Sequence, residues 1–260
     1  MNTSFSIGCD PEVFCADTLR PRSVIGKIGG TKQAPLPLPI GDGYAVQEDN
    51  VALEFNIPAC GSKAEFVAAL QKATGFLETT VGELYGWHFD KRSAISFALE
   101  ELDDPRAFVF GCDPDFNAWT GQINPRPHAK DKNLRSAGGH VHIGYDKELV
   151  TPSKVVRCCD LFMGVPSTLM DKGDLRKKLY GKAGAHRVKS FGVEYRVLSN
   201  FWIFDARTIE WVHNGVARAL EAALVDMPVE DDADLILQAI NKNDKKVAQQ
   251  LVDKYCLEVV

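Results

Sequence analysis

The sequence predicts an α+β fold built on an antiparallel sheet, and three observations carry that expectation. Strand candidates at 4–15, 44–57, 107–119, 138–146 and 192–200 mix with long helical patterns without a regular βαβ rhythm. Four of these strands segregate polar from apolar side chains by alternation. A chain of 260 residues, 45% hydrophobic and 25% charged, can bury one large core with at most a small appendage. The expected division is a main domain at 1–226 and a helical appendage packed on it at 227–260.

The first strand holds "GCDPEVF", in which Asp10 and Glu12 share a face because side chains alternate. Pro11 marks an edge or a bulge between them. In "VALEFNI", Glu54 and Asn56 share a face opposite Leu53, Phe55 and Ile57. A helix follows from the capping box of Ser62 and Glu65, with Phe66, Leu70, Ala73, Leu77, Val81 and Leu84 at helical spacing. The tetrapeptide GCDP then recurs at Gly111 and presents Asp113 and Asp115. In "GGHVHIGY", His140 and His142 share a face opposite Val141 and Ile143. The next helix starts with Pro152 at its first position, runs to about Met170 and bends near Pro166. In "GVEYRVLSN", Glu194 and Arg196 share a face opposite Val193, Tyr195 and Val197. Helices near 205–225, 231–241 and 244–255 close the chain.

Composition narrows the function classes. The net charge of −5 does not favour direct nucleic-acid binding, and no apolar run is long enough to span a bilayer. The start lacks both a basic region and an apolar region of a signal peptide, so a cytoplasmic protein is expected. Seven cysteines without a C-x-x-C pair argue against a zinc knuckle or a disulfide framework.

The polar faces suit divalent cations. Residues i and i+2 lie roughly 6.8 Å apart along a strand and neighbouring strands about 4.8 Å apart, so adjacent strands can gather several ligands. Carboxylates with one or two imidazoles favour Mg2+ or Mn2+ over a thiolate metal. Other readings stay open at this point. An H-x-H can be a packed pair, GCDP can be a turn, and the same residues would serve a metal-dependent hydrolase.

The motifs "GCDPE", "QEDNVALEFNIP", "SAGGHVHIGY", "YGKAGAHR" and "GVEYRVLSNFW", in this order, resemble a phage-encoded family of carboxylate–amine ligases, the amidoligases. That family is placed in the glutamine synthetase and glutamate–cysteine ligase fold. The resemblance implies a curved antiparallel sheet forming a funnel-shaped active site, with helices on its outer face. ATP enters at one end and a carboxylate at the other. It further implies amide formation through an acyl phosphate with Mg2+ or Mn2+, in the cytoplasm of an infected bacterial host. The partners are then ATP, a carboxylate and an amine of small-molecule, peptide or protein origin.

Carried over by position, Asp10, Glu12, Glu54, His140 and Glu194 match metal ligands, with Glu48 as a companion of Glu54. His142 matches a residue near the nucleotide, and Arg196 one that steadies the phosphoryl group or the substrate carboxylate. The first strand departs from the family's frequent E-x-E by Asp10 and Pro11. Further cations for the phosphates are expected from "RPHAKDKNLRSAGG", with Arg135, and from "DLRKKLYGKAGAHRVKS", with Lys182, Arg187 and Lys189. Asp113 and Asp115 are expected either to complete the metal field or to bind the incoming amine and take its proton. Trp202 is expected to pack rather than to stack a base.

Overall fold

The computed structural model describes residues 4–108, 115–125, 131–173 and 175–260. One antiparallel sheet runs in the order Ser6–Cys9, Val141–Gly144, Gly192–Tyr195, Ala185–Lys189 and Phe116–Asn117. In a second, Glu12–Ala16 pairs with Ala52–Asn56, which continues to Ala45–Asp49 and Leu36–Pro37. Pro21–Arg22 and His88–Asp90 also pair with Glu12–Ala16. The two sheets meet where the chain leaves Cys9 and re-enters pairing at Glu12. Across that break, Glu12 donates its N–H to the Gly138 carbonyl and Phe55 donates to the Pro11 carbonyl. The result is a strongly curled antiparallel half-barrel with helices, an α+β architecture.

Several strand expectations change in detail. The stretch 4–15 is two strands in two sheets, because Pro11 cannot donate to a ladder. The stretch 44–57 is a hairpin turning at Asn50, whose φ of 56° is left-handed. Of 107–119, Phe116–Asn117 is a strand and 105–108 is a 3-10 turn, while 109–114 lie outside the described residues. The strand of 192–200 ends at Tyr195, and Asn200–Phe204 is a 3-10 turn. Ala185–Lys189 is an additional strand.

The helices follow their start and stop signals. Ser62 accepts the Glu65 N–H at 3.3 Å, and Gly86 ends the Lys63–Tyr85 helix with φ 67°. Its buried stripe is Phe66, Ala69, Leu70, Ala73, Leu77 and Val81, while Leu84 is exposed. Thr151 caps Pro152–Cys159, a single π turn follows at Asp160–Gly164, and Val165–Met170 completes the run. The irregular turn sits just before Pro166, whose ring would clash with the carbonyl of residue 162 in a regular helix. Asp205 caps Ala206–Leu224, and Asp244 caps Lys245–Tyr255 after Ala233–Lys242. Among the described residues no helix is long and apolar enough to cross a membrane.

The core lies behind the sheet. Val141, Ile143, Val193 and Tyr195 are buried with Trp211, Val212 and Val216 of one helix and with Ile236, Ile240 and Leu251 of the last two. Each fully buried aliphatic side chain contributes about 1.5–3 kcal/mol by leaving water. This burial commits the odd-numbered residues of the histidine strand to the rear. The even-numbered ones are left on the front.

Candidate active site

Directly paired residues of an antiparallel sheet project to the same side. Gly8, His142, Glu194 and Arg187 form one such row, and Arg196 follows Glu194 by two residues on the same face. In the second sheet Glu12, Glu54 and Gln47 form another row. Close packing under the histidines requires glycine. A side chain at Gly138 would collide with the His140 ring, and one at Gly139 with the Ser199 backbone.

Two groups of potential metal ligands result. Oxygens of Glu12, Asp49 and Glu54 lie within 4.8 Å of one another, and so do ligand atoms of Asp10, His140 and Glu194. In the first group, burial and then the Asp49 carboxylate push Glu12 up to about 7. The Gly138 N–H, donated to Glu12 Oε2 at 2.7 Å, opposes that rise. Burial, then Asp10, Asp49 and Glu12, push Glu54 well above the usual carboxylate range. Glu12 and Glu54, each raised by burial and by neighbouring carboxylates, stand with Asp49 as a group that could hold a divalent cation.

The second group is mixed. Burial would raise Asp10, but His142 at 3.3 Å and His140 at 3.5 Å hold it well below its usual range. Burial and then Arg196 drive His140 down to about 4, so its imidazole is neutral and keeps a lone pair. Burial lowers His142, yet Asp10 outweighs it and the net direction is up. Glu194 is inaccessible to solvent. Burial and Asp10 would raise it, but Arg196, His140 and Lys189 bring it to about 2.

Cations converge on the same carboxylate. Lys189 Nζ lies 2.7 Å and Arg187 Nη1 3.4 Å from Glu194. Arg196 Nη1 bonds Glu194 and donates to His140 Nδ1 at 3.2 Å. Arg196 Nε also lies 3.4 Å from Asp115 Oδ2, and Asn124 donates to the other Asp115 oxygen at 2.9 Å. The structure therefore brings together Asp10, Glu12, Glu54, His140, His142, Glu194, Arg187, Lys189, Arg196 and Asp115. Asp113 lies outside the described residues.

Three expected residues are placed differently. Glu48 pairs with Leu53 and so faces away from Glu54. Its carboxylate accepts the N–H groups of Gly26, Lys27, Ile28 and Gly29 at 2.9–3.2 Å, anchoring that turn. Arg135 is buried, and its guanidinium donates to Asn50 Oδ1 and to the carbonyls of Ala107, Lys132 and Leu134. These bonds brace the loops around residues 50, 107 and 132–134. Lys182 donates to the Asn241 carbonyl at 3.4 Å and links the sheet to the C-terminal helices. Trp202 is core, as expected. Its indole donates to the Gly139 carbonyl and stacks on Phe66.

Two residues were missed by sequence reasoning. Asp49 takes the place expected for Glu48, and the signal was the Asn50–Val51 turn. A two-residue hairpin pairs Asp49 with Ala52 and turns Asp49 to the Glu54 face. Arg176 is buried with Nη1 on the Val197 carbonyl at 3.0 Å, and its charge lies close enough to Glu12 to stabilise the carboxylate. In sequence it was one of several basic residues in a run.

The donor set fits divalent cations on structural grounds. Besides the acid-rich group, the buried Asp10 Oδ1 has only the two histidines beside it, His142 at 3.3 Å and His140 at 3.5 Å, neither in hydrogen-bond geometry. Against known proteins, residues 131–248 match the family described as phage phiEco32-like COOH.NH2 ligase-type 2. No curated protein matches the chain. The family match bears out the resemblance to the carboxylate–amine ligases. It contains the His140 and Glu194 strands, while Asp10, Glu12, Asp49 and Glu54 precede it and are brought alongside by the fold.

Proposed function

With the COOH.NH2 ligase match over residues 131–248 as premise, we propose that the protein is an ATP-dependent carboxylate–amine ligase assisted by Mg2+ or Mn2+. The observation that carries the reading is the convergence of two acid groups and three cations on one face of a curled sheet. A glutamine synthetase-like funnel is part of the same proposal, supported by the half-barrel with helices behind it.

When bound, metal-complexed ATP supplies a phosphoryl group that converts the unreactive substrate carboxylate to an acyl phosphate open to amine attack. Glu12, Asp49 and Glu54 would hold one cation, and Asp10, neutral His140 and Glu194 another. Arg187, Lys189 and Arg196, gathered at Glu194, would stabilise the negative charge that develops on the transferring group. His142 completes the wall beside Asp10. Asp115, partly accessible beside Arg196, receives the ammonium group of the second substrate and takes its proton. The C-terminal helices serve as an appendage to residues 1–226, supported by the Asn241 side chain accepting the Ala183 N–H at 2.8 Å.

The test is ADP release from ATP with Mg2+ or Mn2+ in the presence of pooled carboxylates and amines. The expected result is turnover that requires both pools. Cleavage of a substrate without ATP would replace the ligase by a metal-dependent hydrolase.

A further inference from the structure

Behind the sheet lies a carboxylate that the proposed reaction does not use. Asp160 opens the π turn Asp160–Gly164 and is inaccessible to solvent. Single π turns within helices occur frequently at functional sites. Asp160 Oδ1 accepts from the Tyr195 hydroxyl at 2.9 Å. Its Oδ2 accepts from Trp119 Nε1 at 2.7 Å and from the Gly184 N–H at 2.6 Å. Gly164 makes room for this arrangement. A methyl group there would crowd the Tyr195 hydroxyl at 2.8 Å and Asp160 Oδ1 at 3.4 Å.

Each of the three donors belongs to a segment that carries a site residue. Trp119 closes the segment that begins with Asp115. Gly184 precedes the strand of Arg187 and Lys189. Tyr195 stands between Glu194 and Arg196, on the opposite face of the strand. Burial pushes Asp160 up to about 7, and the three donors oppose that rise by favouring the ionised form. The Asp115 segment joins the sheet through two residue pairs, Ala185 with Asn117 and His186 with Phe116, and through the Ala118 N–H on the Gly184 carbonyl at 2.9 Å and the Asn117 amide on the Ala183 carbonyl at 3.2 Å. Asp160 adds a tie from the rear. A second clamp acts beside it, since Arg157 donates to the Ala118 carbonyl at 2.9 Å and lies over the Trp119 ring.

We propose that Asp160 is a positioning residue: from the rear of the sheet its carboxylate locks the Asp115 segment to the Arg187 and Arg196 strands, and so sets the Asp115–Arg196 ion pair. The geometry is independent of the reaction. Only its consequence for the incoming amine rests on the ligase reading.

The test uses the full 15N-labelled chain. Trp119→Phe removes only the indole donor, and Asp160→Asn keeps the shape but turns an N–H toward a donor. The readouts are solvent exchange of the Arg196 Nε–H, identified by its loss in Arg196→Lys, and Mn2+ binding by electron paramagnetic resonance. Both variants should exchange that hydrogen about tenfold faster than the wild type, through freer local opening. Asp115→Asn should do the same, and Mn2+ affinity should stay unchanged in both Asp160→Asn and Trp119→Phe. Wild-type exchange in Trp119→Phe would overturn the proposal, and that variant decides alone if Asp160→Asn does not fold. Loss of Mn2+ binding in Trp119→Phe would also overturn it, because the effect would then be general. Failure of the ligase reading appears elsewhere, as absence of ADP release from the wild-type protein.

Discussion

Replacing Glu12 by Gln should stabilise the metal-free protein at pH 8 and do so far less at pH 5. In the folded chain Glu12 is raised from an ordinary 4.5 to about 7, by burial first and by Asp49 next. A carboxyl that binds its proton more tightly in the folded state makes stability fall as pH rises between the two values. At pH 5 the folded carboxyl keeps its proton while the unfolded one is only beginning to gain from ionising, so little of the difference has developed, and Gln can accept the Gly138 N–H as the protonated acid does. Above 7 the wild type carries a charge that the fold resists. At about 1.4 kcal/mol for each tenfold change in proton affinity, the rise corresponds to at most about 3 kcal/mol. The assay is urea unfolding of both proteins in EDTA at pH 5 and pH 8, compared at equal slope. Added Mn2+ at pH 8 should then stabilise the wild type more than Glu12→Gln, which keeps only the group of Asp10, His140 and Glu194 intact. The reasoning fails if the variant is no more stable at pH 8, or if the same difference persists at pH 5.

Other outcomes follow from the same geometry. His140→Ala should weaken Mn2+ binding by about tenfold or more, the scale seen even for outer-shell partners of a metal, with little change in melting. Val141→Ala, at a fully buried position, should instead lower stability by about 0.5–3 kcal/mol; the reverse pattern would mean that the strand's faces are exchanged. Asp49→Asn should reduce Mn2+ affinity, whereas Glu48→Ala should leave it intact and speed hydrogen exchange at Gly26, Lys27, Ile28 and Gly29, whose N–H groups it accepts. Equal Mn2+ loss in both would place Glu48 back among the ligands. Once the carboxylate substrate is known, Asp115→Asn should still trap an acyl phosphate with hydroxylamine while reacting poorly with the natural amine; loss of both reactions would make Asp115 part of the phosphoryl machinery.

The sequence by itself determined the properties that depend on near neighbours. Alternation alone separated His140 and His142 from Val141 and Ile143, and Glu194 and Arg196 from Tyr195, because successive side chains must point to opposite faces. Ser62, Asp205 and Asp244 marked helix starts because their side chains satisfy N–H groups within a few residues. Tertiary structure decided what depends on register and on distant pairing. Glu48 and Asp49 are adjacent acids, and it is the register of their hairpin, with Gln47 opposite Glu54, that turns Asp49 inward. Pro11 announced an interruption, but not that Asp10 would stand at the junction of two sheets with histidines from 130 residues away. Arg135, Lys182 and Arg187 are all basic residues near candidate strands, and the carbonyls or carboxylates that reach each of them separate brace from site. Asp160 had no local signal, since its three donors come from segments that meet only when the core closes. Alternation and capping are settled within a turn or a strand, whereas register and the partners of buried charges are settled by whichever packing buries the apolar faces together.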